Sequence, residues 1–286
     1  MDNLSRTLMT LSCRDCDSIP KVALAGSIMQ ENNQPVQVMH NGLRVVAGGY
    51  HGDWMAHIIR GLRGHHEPQE EAVFHTLLKY ARHNSLMVEL GCFWAYYTLW
   101  YLLEIPGSSS FCVEPDPHNL EVGRKNALLN GMEDRITFFE AWVGSSATKT
   151  MTHTIESTQE VRTLPCLDMS AALDLTGGRM IELLHIDAQG AENDFISSMK
   201  QAAQSRAVRF LVVSTHHSSI SGRLDAHGEC CDMIRSFGGH ILVEHDVQES
   251  FSGDGLIVAS FFLQDRYLAM PLITRNVPTN SLFTER

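Results

Sequence analysis

The sequence predicts an α/β fold: a mostly parallel open sheet with an antiparallel last strand, preceded by an N-terminal β-ribbon and short helix. Three observations predict it. From residue 85 onward, short apolar runs alternate with helical patterns, the signature of parallel strands joined by helical crossovers. The stretch 85–98 (SLMVELGCFWAYYT) reads as a buried strand ending at Glu89, turning at Gly91 into a helix that begins near Trp94. The last two apolar runs, 240–244 and 256–263, have only a short linker between them, so they should pair antiparallel.

Taken in order, residues 1–35 show little periodicity and read as a mobile or partner-dependent arm. Residues 36–46 (VQVMHNGLRVV) alternate around Asn41-Gly42, a hairpin signal. Trp54, Ile58, Ile59 and Leu62 then fall at helical spacing. A second helix runs from Pro68 to about residue 83, with Glu67, Glu70 and Glu71 at the positive end of its dipole and Val73, Phe74, Leu77, Leu78 and Ala81 as its apolar stripe. Residues 1–66 form one unit, a lid over a site or a contact to a second copy, and 67–286 form the main domain.

After the central turn, the helix 94–104 is apolar nearly all round and ends at Pro106-Gly107. A second strand, 109–115, ends in the acid Glu114. Asp116-Pro117 opens the next helix, which Asn130-Gly131 closes. The third strand spans 136–142. The Ser/Thr-rich stretch 144–163 is irregular, with an extra hairpin over the sheet as its expected form. Strand four, 181–187, leads through Asp187-Ala188-Gln189-Gly190 into a helix, and strand five, 208–215, delivers His216-His217 at its tip. A helix over 224–236 precedes the closing strands, and 274–286 should trail as a tail.

Composition narrows the function. A hydrophobic share of 44% and a charged share of 19% describe an ordinary soluble protein with a large core. The net charge of −11, with no Lys/Arg cluster to offset it, disfavours a nucleic-acid partner. No membrane span or signal peptide is apparent, and the 7 scattered cysteines fit reduced thiols, so the expected location is the cytoplasm.

The turn at Gly91 has one of the three glycines of a dinucleotide fingerprint, so the close cradle for a pyrophosphate is missing. An acid at the strand tip would repel phosphate and suits a head with cationic and hydroxyl groups. S-adenosylmethionine has such a head. Glu114, 25 residues on from Glu89 at the tip of the neighbouring strand, stands where an adenosine ribose expects its hydroxyl acceptor. The two carboxylates should therefore share one ligand.

The pairing of VELGCFWAYYT (88–98) with HIDAQGAE (185–192), supported by LPCLD (164–168), resembles the FkbM family of S-adenosylmethionine-dependent methyltransferases over about residues 67–263. The resemblance implies a seven-stranded Rossmann-like class I methyltransferase fold and methyl transfer to a hydroxyl of a sugar or secondary metabolite. It places Glu89, Gly91, Cys92 and Phe93 on the cofactor turn, Tyr97 and Thr98 at the start of its helix, and Glu114 on the ribose. Ala141 and Trp142 fall beside the adenine, and Asp187 at the reacting end. Two positions depart from the family pattern. Gln189 replaces a glutamate and cannot take up a proton, and Ala95 replaces the third motif glycine, a change that a helix start should tolerate.

The chemistry asks for collinear donor and acceptor and for removal of the hydroxyl proton. Asp187 or His216 is the candidate base, with Gln189 orienting the acceptor. Alternatively, Asp187 and His216 hold a divalent metal that acidifies the hydroxyl. Tyr50, His51, Trp54 and His217 are candidates for the acceptor pocket, which would take a small molecule or glycan. Competing readings are an NAD(P)-dependent oxidoreductase, which needs the missing glycines, and a catalytically silent cofactor-binding module, suggested by Gln189.

Overall fold

Leu86, Met87, Val88 and Leu90 are all buried, which makes their run a central strand rather than an edge. The computed structural model describes residues 2–145 and 149–283. The N-terminal part consists of α1 (Asn3–Ser12), β1 (Ile28–Glu31), β2 (Gln34–Val38), β3 (Arg44–Val46) and α2 (Asp53–Gly61). Then come α3 (Pro68–Leu78), β4 (Leu86–Leu90), α4 (Tyr96–Glu104), β5 (Ser109–Val113), α5 (Pro117–Leu129) and β6 (Ile136–Phe139). An inserted hairpin region holds β7 (Trp142–Val143), β8 (Thr150–Thr154) and β9 (Val161–Leu167), followed by α6 (Met169–Leu175). The second half of the sheet is built from β10 (Ile181–Ile186), α7 (Glu192–Ser197), α8 (Lys200–Gln204), β11 (Val208–Thr215), α9 (Ser218–Ser221), α10 (Ala226–Ser236), β12 (His240–His245) and β13 (Gly255–Ser260).

The central sheet has seven strands in the order β12-β13-β11-β10-β4-β5-β6. All neighbours from β11 to β6 are parallel, and β13 runs against both β11 and β12. The expected antiparallel last strand is therefore present. Alternate residues feed two cores, one per face. Met87, Leu183, Phe210 and Val258 point to one core with α4, while Val88, Leu184, Leu211 and Ile257 point to the other with α7 and α10. Covering on both faces explains why β4, β10 and β11 are buried along their whole length rather than alternating. The first core also contains Met39, Leu43 and Ile58, so the N-terminal ribbon and helix pack directly on the sheet side of the molecule.

Several details differ from expectation. Residues 3–12 form a helix capped by Asp2, whose side chain accepts from the Ser5 N–H. The third strand is interrupted after Phe139, and Trp142-Val143 pairs instead with β9 in a three-stranded sheet of order β7-β9-β8. Its antiparallel β8–β9 pair is a hairpin of the kind expected in 144–163, though it extends to Leu167, and residues 146–148 lie outside the described residues. Of the expected tail, Thr274 is tied to Asp15 through its N–H (2.8 Å) and hydroxyl (2.6 Å), and residues 284–286 lie outside the described residues.

Candidate active site

Where the chain order reverses, between β4 and β10, the carboxyl ends of the strands open a crevice of the kind that binds ligands in open α/β sheets. It holds a cavity of ≈ 330 Å³, walled by Gly91 and Phe93 after β4, Glu114 after β5, Ala141 and Trp142 after β6, and Asp187 and Gln189 after β10. Gly91 is required here by its neighbour: φ is +77°, and a Cβ would stand 1.6 Å from the Asp187 carbonyl oxygen. Three wall residues with side chains, His51 (φ 51°), Phe93 (φ 41°) and Gln189 (φ 49°), adopt the left-handed conformation, as does Ala95 (φ 60°) beside them. Each such residue costs about 1–3 kcal/mol, and strain of this kind gathers where a surface is shaped for a ligand.

Glu114 is buried and held from three sides. It accepts from the Phe93 N–H at 3.1 Å, from the Asp116 N–H at 3.0 Å and from the Asn119 amide at 3.4 Å. Burial outweighs these donors and pushes its carboxyl up to about 7. Asp116 caps α5 and also accepts from the Ser157 N–H (2.9 Å) and hydroxyl (2.6 Å), which fixes the tip of the β8–β9 hairpin over the cavity. Ile155 and Glu156 of that tip join the wall.

Four expected cofactor residues do not line the cavity. Glu89 turns inward, with its carboxylate accepting the Thr98 N–H at 3.1 Å beneath α4. The Thr98 hydroxyl meets Ser110 at 3.0 Å, Cys92 is in the core, and the Tyr97 hydroxyl donates to Glu67 at 2.9 Å. The expectation that Glu89 and Glu114 share one ligand is thus corrected. Successive strand residues face opposite sides, and Glu89 falls on the α4 side of the sheet. Ala95 is corrected too. It precedes α4 in a conformation that favours glycine, so the substitution is strained rather than neutral.

After β10, on the other side of β4 from Glu114, Asp187 sits in a charge cluster. His216 Nε2 is 3.3 Å from its Oδ1 and 3.6 Å from Asp254 Oδ1, and His216 Nδ1 is 3.0 Å from Glu192 Oε1. Burial alone would strip the proton from His216, but Glu192, Asp254 and Asp187 together raise its pKa well above the ordinary value. The same contact with His216 lowers Asp187 despite its burial. The His216 side chain has 0% exposure, whereas that of Asp187 is 23% exposed. His216 is therefore corrected from candidate base to buried imidazolium. It keeps its proton, and no atom of its side chain reaches the cavity. Gln189 donates its amide N–H to Asp187 Oδ1 at 3.3 Å; the same nitrogen lies 2.9 Å from His216 Nε2, which as an imidazolium has no lone pair to accept from it.

Of the expected acceptor residues, Tyr50 and His51 line the cavity. Tyr50 stacks on Trp94 (4.6 Å, 3°) and meets Phe93 edge-on, and Trp54 stands behind His51 at 5.9 Å. His217 stacks on Phe283 (4.2 Å) and borders a separate pocket of ≈ 240 Å³. Sequence reasoning missed Asp116, Asn119, Ile155, Ser157, Glu192 and Asp254. The Asp116-Pro117 pair gave a helix start and nothing more, and Asp254 carries no local signal.

Two groups place metal-ligand atoms close together among the described residues. In the first, His40, His65 and Glu71, the two imidazoles are stacked at 4.1 Å and 18°. An ion in the plane of one ring lies off the plane of the other, where that ring has no lone pair, so this trio does not fit a metal. The Tyr96 hydroxyl instead bridges His40 (3.1 Å) and Glu71 (3.2 Å). The second group, Asp187, Glu192 and His216, has its donor atoms within 4.8 Å of one another. Both ring nitrogens of His216 face carboxylates, which favours a proton on each, and Glu192 is already engaged by the Ala188 and Gly190 N–H groups. These residues fit an imidazolium better than a metal.

No family model and no curated protein matches the chain. Solved structures resemble it at low identity. Precorrin-6y C5,15-methyltransferase from Geobacter metallireducens GS-15 is 13% identical with a TM-score of 0.41, over 66% of this chain and 86% of that one. Cofactor-bound Rv0187 from MTB is 18% identical, with a TM-score of 0.42 over 67% and 79% of the two chains. M. capricolum TrmK in complex with S-adenosyl-homocysteine is 11% identical, with a TM-score of 0.41 over 65% and 66%. At this distance, function has to come from the chemistry of the cavity. Among the described residues, no helix is long and apolar enough to cross a membrane.

Proposed function

We propose that this protein transfers a methyl group from S-adenosylmethionine to a hydroxyl of a small-molecule or glycan acceptor, in keeping with its FkbM-like motifs. One observation carries the reading. The buried carboxylate of Glu114 lines the cavity after β5, beside a glycine turn lacking the pyrophosphate cradle, and the partly exposed Asp187 lines it after β10, on the other side of β4. Glu114 would accept the two ribose hydroxyls. Trp142, whose indole N–H is buried without a partner, and Ala141 would border the adenine.

The cofactor supplies an activated methyl on a sulfonium. The chain's residues supply position and a proton acceptor. Tyr50 and His51 close the cavity near Asp187 and would hold the acceptor in line, an effect that alone lowers a barrier by roughly 7–11 kcal/mol. With the cofactor and acceptor bound, Asp187 would take up the hydroxyl proton as the methyl passes to the acceptor oxygen. The His216 imidazolium keeps Asp187 ionised, and Gln189 aims the acceptor by hydrogen bonding. No metal is needed for this sequence of events.

The reading is tested by thermal unfolding with S-adenosylhomocysteine and with NAD, followed by assay of methyl transfer from S-adenosylmethionine to a panel of hydroxylated metabolites. Stabilisation by S-adenosylhomocysteine alone is expected. Asp187→Asn should slow transfer about 10²–10⁴-fold, and EDTA should leave the rate unchanged. Stabilisation by NAD in place of S-adenosylhomocysteine would overturn the reading, and an EDTA-sensitive rate would overturn the metal-free mechanism.

A further inference from the structure

Helix α1 was featureless in the sequence, yet it reaches the charge cluster. Its Arg6 guanidinium lies 3.3 Å from Asp254 Oδ2 and 5.5 Å from the centre of the Trp54 ring. The other oxygen of Asp254 faces His216 at 3.6 Å, and His216 in turn faces Asp187 at 3.3 Å. The Thr10 hydroxyl donates to the Phe251 carbonyl at 2.9 Å, anchoring α1 to the loop that carries Asp254. Gly253, beside the guanidinium, has φ +115°, a backbone conformation that residues with side chains rarely adopt.

We propose that Arg6 is a positioning residue of the active site: it holds Asp254 ionised and aimed at His216, so that docking of α1 completes the charge cluster around Asp187. Its bearing on catalysis rests on the reading of Asp187 given above, while the contact between α1 and Asp254 stands without it. Asp254 is faced by Arg6 from α1 and by His216 from the tip of β11, both favouring its charge. Asp187 from the tip of β10 and Glu67 from the start of α3 oppose it, as does burial, and the carboxyl lies at about 6. The pair with Arg6 needs the ionised acid. It is present above that pH and lost as pH falls through it, so α1 should loosen in the same range.

The test follows the Asp254 carboxyl against pH by ¹³C NMR in the full-length protein, assigned with Asp254→Asn, and follows amide exchange of α1 in parallel. Arg6→Gln should raise the Asp254 midpoint by about one pH unit, and Arg6→Lys should restore most of it. Asp254→Asn should make exchange in α1 at neutral pH about tenfold faster, equal to the wild type at low pH. An Asp254 midpoint that Arg6→Gln leaves in place, or α1 exchange indifferent to Asp254→Asn, would reduce α1 to a packing element and overturn the proposal. Titration with S-adenosylhomocysteine separates the two claims: wild-type protein that fails to bind it refutes the methyl-transfer reading while leaving the NMR result intact.

Discussion

Glu89 and Glu114 end neighbouring strands, and burial pushes both carboxyls up to about 7, yet only Glu114 borders the cavity. Their variants should separate accordingly. Glu89→Gln should cost about 1–3 kcal/mol of stability through its bond to the Thr98 N–H and change S-adenosylhomocysteine affinity less than about threefold. Glu114→Gln should weaken that affinity about 10- to 100-fold, as measured by calorimetry. A carboxylate accepts ribose hydroxyls better than the neutral acid, so wild-type affinity should fall as pH drops through about 7 and should stay flat in Glu114→Gln. Both acids were legible as strand tips. Which way each side chain points was not, because that depends on where the strand leaves the ladder rather than on residue type.

Among the elements, α4 and the β8–β9 hairpin carry the local cost of shaping the cavity. Ala95 precedes α4 at φ 60°, ψ 32°, so Ala95→Gly should stabilise the protein by about 0.5–1 kcal/mol in thermal unfolding, the relief of strain exceeding the entropy of glycine in the unfolded chain. The hairpin tip is held by the Ser157 N–H and hydroxyl on Asp116, and Ser157→Ala removes the hydroxyl bond, worth about 1 kcal/mol. Dissociation of S-adenosylhomocysteine in stopped-flow measurements should then speed up about fivefold, given that the ligand leaves past this tip. The hairpin itself was visible in the sequence as a Ser/Thr-rich insertion. Its role was not, because the contact joins residues 41 positions apart and neither has a patterned neighbourhood.

For the molecule as a whole, strand–helix alternation, the Gly91 turn and the antiparallel end of the sheet were readable because periodicity and turn chemistry are local. The buried acid–base network was not, since it couples α1, α3, β10, β11 and the loop before β13 only after folding. That network sets the pH dependence of stability. His66 is raised to about 10 by Glu67 and Glu71, His185 to about 9 by Glu70, and His216 well above its ordinary value by Glu192, in each case against burial. Groups raised in this way stabilise the fold fully below the unfolded value of 6.5 and lose that contribution as pH climbs through 9 to 10. Glu71, lowered by His65 and His66, acts in the opposite sense at low pH. The melting temperature should therefore drop by at least about 5 °C between neutral pH and roughly pH 9.5, at about 2–4 °C per kcal/mol. A flat profile over that range would mean that these histidines are neutral in the fold.

The central claim is that an adenosyl donor lies between Glu114 and Asp187. A crystal structure with S-adenosylhomocysteine tests it most directly: the ribose hydroxyls should lie on the Glu114 carboxylate and the sulfur should face Asp187. A ligand bound elsewhere, or one in the cavity with its sulfur turned away from Asp187, would contradict it.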